Sequence, residues 1–376
     1  MSTYNGNYLS NVNITDKIGS SYASYAITIL TILILIFLVG YLIYLSRLQS
    51  AECTYMNNLY PSIDGNLKPI SSADPDCSGN LYDYYIKTAY NACSGGAYKN
   101  DYVNICNLKA VIKQGARCLD FEVYSLNNQP IVATSTTNNF YVKETFNYVS
   151  FADVMSTITN YAFAGGTCPN PTDPLIIHLR VMSNNLNVYE NMAKIFSSYD
   201  SVMLGSQYSF ENNGKNLGAV PLLSFQNKII LIVDKTNTTF IESQNFLEYV
   251  NLTSNSVFMR ACSYYDVQNN PDINELIEFN KRGMTIVFPN TGANPANPSS
   301  AVCRASGCQM VAMRYQYNDS NLSENNTFFD SYSYAFALKP ANLRFVPVTI
   351  PNPTPQNPDY SYETRTVSTN YYSFNF

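Results

Sequence analysis

From Tyr84 onward the chain repeats one pattern, a short apolar run followed by a segment of helical period. The runs are YYIKTAY (84–90), RCLDFEVY (117–124), PIVAT (130–134), LIIHLRVM (175–182), KIILIVD (228–234), VFMRAC (257–262), MTIVFP (284–289) and CQMVAMRYQ (308–316). All are rich in β-branched and aromatic residues, the composition of strands. Between them, NICNLKAVIKQG (104–115) ends on a glycine stop, and SFADVMSTITNYAF (150–163) opens on Ser150 as an N-cap. NVYENMAKIFSSY (187–199) has the same period, and DINELIEFNKRG (272–283) is bracketed by Asp272 and Gly283. Near-continuous apolar strands alternating with helices predict an α/β fold with a parallel sheet under helices. Eight strands over about 230 residues predict a closed (β/α)8 TIM barrel, with a doubly wound open sheet as the structural alternative. No glycine-rich nucleotide cradle of either common type occurs.

Ahead of this pattern, Ala26–Leu45 (AITILTILILIFLVGYLIYL) runs for 20 residues without a charge. Helical rise carries such a segment across about 30 Å of hydrocarbon. It is apolar on every face, unlike a core helix, and too long for the apolar part of a cleaved leader. It is therefore read as a single transmembrane helix. Lys17 and Arg47 flank it on opposite sides, so charge does not set its orientation. The expected organisation is a polar segment 1–25, the anchor 26–45, a Ser/Pro/Asp/Asn-rich stem 46–80, a barrel 81–345 and a Pro/Asn/Tyr-rich arm 346–376.

The formal charge is −5 and no basic run occurs, which excludes nucleic acid as the main partner. Thirty-two tyrosines and no tryptophan suit an AT-rich genome, as in some protists and large DNA viruses. All nine cysteines follow the anchor, without C-x-x-C spacing, so disulfides are expected rather than zinc. Cys53 with Cys77 and Cys303 with Cys308 are candidate pairs, and the odd count leaves at least one thiol outside any intrachain pair. Sequons at Asn237, Asn251, Asn318, Asn321 and Asn325 fit an exported domain, on the exoplasmic or virion-surface side.

Several blocks, in order, resemble the phosphoinositide-specific phospholipase C family of PLC-like phosphodiesterases. YIKTAYNACSGG (85–96), GARCLDFEVY (115–124) and QPIVATST (129–136) resemble its first three strand segments, and SFADVMSTI with DPLIIHLRV the next helix and strand. FNKRGMTIVFPNTGANPANPSS (279–300), GCQMVAMRYQ (307–316) and ALKPANLR (337–344) resemble its closing elements. The resemblance covers most of Tyr84–Arg344 and implies a TIM barrel that cleaves a lipid phosphodiester. It also implies two catalytic histidines and a calcium ion held by one Asn and three carboxylates.

This chain departs from that pattern. The family's histidine positions fall on Tyr90 and Thr136, neither of which exchanges a proton readily near pH 7. Asn91, Asp120 and Glu122 stand at three of the implied calcium ligands, but the fourth is Arg180. A guanidinium there supplies positive charge in place of the ion and repels a divalent cation. Lys235 is the one retained headgroup cation, and Ile286 and Phe288 occupy positions where the family carries Arg and Tyr. His178, the only histidine, lies one barrel layer below Arg180 and is expected to be a hydrogen-bonded core residue, with a recruited base as the alternative. The expectation is a catalytically inactive, membrane-anchored barrel without metal or cofactor. It would act as a structural or binding protein of a surface or virion envelope, with the bilayer and other proteins as partners. The alternatives are an active phosphodiesterase of altered, metal-independent mechanism and a module that binds a glycan or a phosphoinositide headgroup.

Overall fold

The computed structural model describes residues 12–137, 142–347, 351–357 and 360–376, with side chains from residue 22 onward. The first eleven residues of the expected polar segment lie outside the described residues. Two units form: one ends at Arg344, the other spans Phe345–Phe376.

Eight parallel strands make a nearly closed barrel. They are β1 (Tyr84–Ala89), β2 (Cys118–Leu126), β5 (Leu175–Val181), β6 (Ile229–Asp234), β7 (Leu252–Ser254), β8 (Met259–Ser263), β9 (Met284–Phe288) and β10 (Met310–Met313). Their lateral order is β7-β6-β5-β2-β1-β10-β9-β8, so the ladder opens between β7 and β8 where a closed ring was expected. Only four residues join that pair, too few for a covering helix. Strands β1, β5 and β6 are buried on both faces for nearly their whole length, as a helix-covered parallel sheet requires.

One of the eight sequence assignments changes, and one stave was not assigned. PIVAT belongs to β3 (Gln129–Ala133), which is not a barrel stave but pairs antiparallel with β2 and with the short β4 (Val149–Ser150). The reason is the two-residue turn: Asn127 and Asn128 both take positive φ, the backbone signs of a type I′ hairpin. The missing stave is β7, which carries the sequence LTS and lacks the apolar run that marks the others. Strand β11 (Phe336–Leu338) closes the base by pairing antiparallel with β1.

The predicted helices form as α2 (Ile105–Lys113), α3 (Phe151–Tyr161), α4 (Leu186–Ser197) and Ile273–Asn280. Ser150 and Asp272 cap their helices by accepting from the backbone N–H of Asp153 and Glu275. The apolar segment lies within α1 (Val12–Leu59), a continuous helix long and apolar enough to cross a membrane. Its last turns belong to the barrel, because Met56 and the following Tyr60 are buried in the main core. The expected stem therefore begins as helix.

The single disulfide joins Cys53 of α1 to Cys106 of α2, not to Cys77. Cys77 lies in a separate core cluster with Ile70, Leu81 and Tyr84. Cys303 and Cys308 are unbonded and buried; the Cys308 thiol accepts from the Asn280 amide at 3.6 Å. Three expected glycan sites are also closed: Asn237, Asn251 and Asn325 are buried, the first donating to Val181 O and Ser183 O. The Phe345–Phe376 unit holds an antiparallel pair, β12 (Thr366–Ser368) and β13 (Ser373–Asn375).

Non-reducing digestion should yield one cross-linked peptide, Cys53–Cys106. Cys303 and Cys308 should alkylate only after unfolding. Replacing both bridged cysteines by serine should cost about 2–4 kcal/mol in denaturant titration, because a long loop of the unfolded chain is released. A Cys303–Cys308 cross-link would contradict this arrangement.

Candidate functional site

Register builds the site. Strands β2 and β5 run in parallel with Asp120 beside His178 and Glu122 beside Arg180. Alternation along each strand sends Asp120, Glu122 and Tyr124 to one face, and His178 and Arg180 to the matching face. Strand β1 ends at Ala89, and Asn91 then turns back with φ +44°, a left-handed conformation that Asn tolerates better than most residues. That turn aims both its backbone N–H and its side chain at the carboxylates.

Arg180 is the hub. Its Nε donates to Asp120 Oδ1 at 3.0 Å, Nη1 to Glu122 Oε1 at 2.9 Å, and Nη2 to Asp120 Oδ2 at 2.6 Å and Asn91 Oδ1 at 3.0 Å. Asn91 N–H reaches Asp120 Oδ2 at 3.2 Å, and its Nδ2 reaches Glu122 Oε1 at 3.0 Å. The second oxygen of Glu122 accepts from Tyr124 Oη at 2.8 Å and Ser135 N–H at 2.9 Å. His178 Nδ1 lies 2.8 Å from Asp120 Oδ1, and Nε2 lies 3.0 Å from Ser254 Oγ. Tyr90 and Phe288 cover the guanidinium, with centroids 4.8 and 5.1 Å from its carbon.

The electrostatics follow. Burial pushes the Asp120 carboxyl up, but Arg180 and His178 outweigh it and hold Asp120 at about 2. Burial works against the Arg180 charge, yet Asp120, Tyr90 and Glu122 raise its pKa well above the ordinary value. Burial also raises the Tyr90 phenol, further from a base that works at neutral pH.

These residues do not fit a calcium ion. Calcium takes six to eight oxygens at about 2.3–2.6 Å. Here all four oxygens of Asp120 and Glu122 accept from N–H or O–H groups, and the guanidinium lies where their lone pairs converge. Among the described residues no group of three His, Cys, Asp or Glu side chains is arranged around a metal position.

Asn91, Asp120, Glu122, Arg180 and His178 thus come together, with Tyr90 above them. Thr136 belongs to a neighbouring arrangement, donating through N–H and hydroxyl to Glu144, which also pairs with Lys99 at 3.0 Å. Lys235 pairs with Glu211 at 3.5 Å. Sequence reasoning missed Ser254, Tyr124, Ser135 and Glu144. Only Tyr124 carried a signal, its spacing of two from Glu122.

Comparison with known proteins agrees with the geometry of the fold. The family models described as Phosphatidylinositol-specific phospholipase C, X domain, and Y domain match residues 77–235 and 232–342. The chain belongs to that family. No curated protein matches it. Among solved structures, PLC21 of S. officinalis matches with a TM-score of 0.58 at 17% identity, over 72% of this chain and 38% of that one. PLC21 of L. pealei gives 0.57 at 17%, with the same coverage. The chain therefore spans well under half the length of these two proteins, and the likeness concerns the barrel.

Removing Arg180 tests the cluster. Arg180→Met should lose about 3–5 kcal/mol at pH 7, because two buried carboxylates lose their counter-charge. Asp120, held at about 2 against about 3.9 unfolded, contributes stability above pH 4 that is lost as the pH falls through 4 toward 2. In Arg180→Met the folded Asp120 loses the cause of its low pKa, so this acid loss should shrink and the stability gap to the parent should narrow as the pH falls from 7 toward 2. Urea titrations from pH 2 to 8 read both effects; a variant as stable as the parent at pH 7 would refute the account.

Proposed function

We propose that this chain is a membrane-anchored barrel of the phospholipase C type that does not perform phosphodiester chemistry. It serves instead as a surface or virion-envelope scaffold that engages other proteins. The observation that carries this reading is Arg180, whose guanidinium neutralises Asp120 and Glu122 from within. Cleavage of a phosphodiester by a neighbouring hydroxyl needs a base for that hydroxyl, an acid for the leaving oxygen and a positive charge on the phosphoryl oxygens. Tyr90 and Thr136 supply neither acid nor base near pH 7, and each such group contributes about 10²–10⁴-fold. The one central cation is held under Tyr90 and Phe288 with four of its five N–H groups donating within the protein. Anchoring rests on Ala26–Leu45 within α1.

One observation favours a second reading, an enzyme of altered, metal-independent chemistry. Ser254, His178 and Asp120 form a hydrogen-bonded relay with the connectivity of a nucleophile, base and orienting acid. All three are fully buried inside the barrel, however. A nucleophile must reach about 3 Å from the reacting atom, so the relay serves this structure as a core network rather than a reaction centre.

Full-length protein in detergent should turn over neither phosphatidylinositol nor its bisphosphate, with or without calcium, and calorimetry should show no calcium heat. Calcium-dependent turnover would overturn the scaffold reading. Calcium-independent turnover abolished by Ser254→Ala would establish the relay instead, and an inositol-phosphate heat without turnover would point to a headgroup-binding module.

A further inference from the structure

The end of α1 that packs on the barrel carries a buried acid facing a second acid. Glu52 lies beyond the apolar segment, next to the bridged Cys53, and is only 7% exposed. It faces the loop between β1 and α2, at the mouth formed by the C-terminal ends of the strands. There it meets the Asp101 carboxyl within hydrogen-bond range. Asp101 is fixed from its other side, where Ala97 N–H donates to Oδ2 at 2.8 Å and Tyr102 N–H to Oδ1 at 3.0 Å. Neither oxygen of Glu52 accepts from an N–H or O–H group among the described residues. Two acceptor groups thus face each other with no donor between them, and a proton on one of them supplies it. Gly95 and Gly96 make the room: a Cβ at Gly95 would strike Glu52, and one at Gly96 would strike Asp101.

The surroundings bring no cation to this pair. On α1, Arg47 is exposed and Cys53 is bonded to Cys106 of α2. Also on α2, Asn107 donates to Cys93 O at 3.3 Å, and Lys109 lies over the Tyr161 ring. The Cys93 thiol is buried, which pushes it up and keeps it neutral. On the loop, Lys99 pairs with Glu144 at 3.0 Å, and the Tyr102 hydroxyl donates to Leu45 O at 3.2 Å. Arg314, after β10, donates to Gly96 O at 3.2 Å and stacks on Tyr98 and Tyr317. Burial first, then the hydrogen bond and charge of Asp101, push the Glu52 carboxyl up to about 10.

The same loop covers the ionic centre. Its Tyr98 meets Tyr90 edge-on with centroids 5.4 Å apart, and Tyr90 lies over Arg180. We infer that Glu52 keeps its proton and shares it with Asp101, and that this proton clasps the barrel end of α1 to the mouth loop, so that acid tightens the joint and alkali loosens it. The inference concerns how α1 is held and does not depend on the scaffold reading.

The sign follows from linkage. Released from the joint, Glu52 titrates at its ordinary 4.5; within it, near 10. The contribution of the joint is full below about pH 4.5 and is lost as the pH rises from there toward 10. Inside that window each pH unit shifts the undocking equilibrium by up to about tenfold.

The disulfide reports undocking, because Cys53 and Cys106 are half-buried beside Glu52. Full-length protein in detergent would be reduced with a water-soluble phosphine, which takes oxygen from water as the two thiols form. Rates from pH 5 to 9 would be divided by those of a short disulfide peptide, which removes the reagent's own pH dependence. The relative rate of the parent should climb with pH, by up to about tenfold per unit. Glu52→Gln, whose amide donates to Asp101 at every pH, should stay slow and flat, and Asp101→Asn should lose much of the slope. Infrared difference spectra read the proton directly: the parent should show a protonated-carboxyl band at pH 7 and 8 that Glu52→Gln lacks. The parent's band decides the matter even if a variant fails to fold. A flat parent rate, the same slope in Glu52→Gln, or no protonated carboxyl in the parent at pH 7 overturns the inference. So does slowing of the reduction by sodium or magnesium ions without that band, which would put a cation where the proton is assigned.

Discussion

A guanidinium among two buried carboxylates determines the centre of this barrel. Without it Asp120 and Glu122 would be like charges on adjacent inward positions of one strand, excluded from water. With it, each carboxylate becomes an acceptor for several donors at once. Those donors include backbone N–H groups of two mouth loops, from Asn91 after β1 and from Ser135 after β3. The same carboxylates that the family resemblance assigns to calcium therefore pin the chain where it leaves two strands. In this molecule the acid groups shape the loops.

Arg180 differs from a calcium ion in more than charge. A calcium ion exposes open coordination positions to a substrate, whereas a guanidinium is planar and directs its N–H groups along fixed lines. Here those lines end on Asp120, Glu122 and Asn91, and Tyr90 and Phe288, with ring centroids 5.5 Å apart, lie together against the guanidinium. Four of its five N–H groups are engaged within the protein. Lys99 and Lys235 are likewise paired, with Glu144 and Glu211. A polyphosphorylated headgroup gains most from cations that are free to turn toward it, and here it would compete with those carboxylates.

Much of this was legible in the sequence. The alternation of apolar runs and helical segments located seven of the eight staves, and the spacing of Asp120, Glu122, His178 and Arg180 placed them on facing positions. What failed was physically specific. β7 is three residues long and polar at its end, so its place is fixed by neighbours rather than by its own pattern. β3 reads as a buried strand because it is one, yet the Asn127–Asn128 turn returns it against β2 instead of into the barrel. The Cys53–Cys106 bond depends on α1 running past its apolar segment onto α2, a tertiary fact with no local signal. Ser254 became a partner of His178 only through the pairing of β5, β6 and β7.

The long apolar helix and the site are linked through one short stretch of chain. The stretch from β1 into α2 is held near its start at Asn91 by Asp120 and Glu122, and in the first turn of α2 at Cys106 by Cys53. Between them Tyr102 touches Leu45, and Arg314 donates to Gly96 O at 3.2 Å. The loop is thus tied at its start to the buried ionic centre and at its end to α1. A mouth so constrained has little capacity to open around a substrate. Lids that close over bound ligands are drawn from weakly held segments with few buried partners. A rim tied to both a salt-bridged core and the long apolar helix is suited to hold a fixed orientation, which is the property the proposed scaffold role requires.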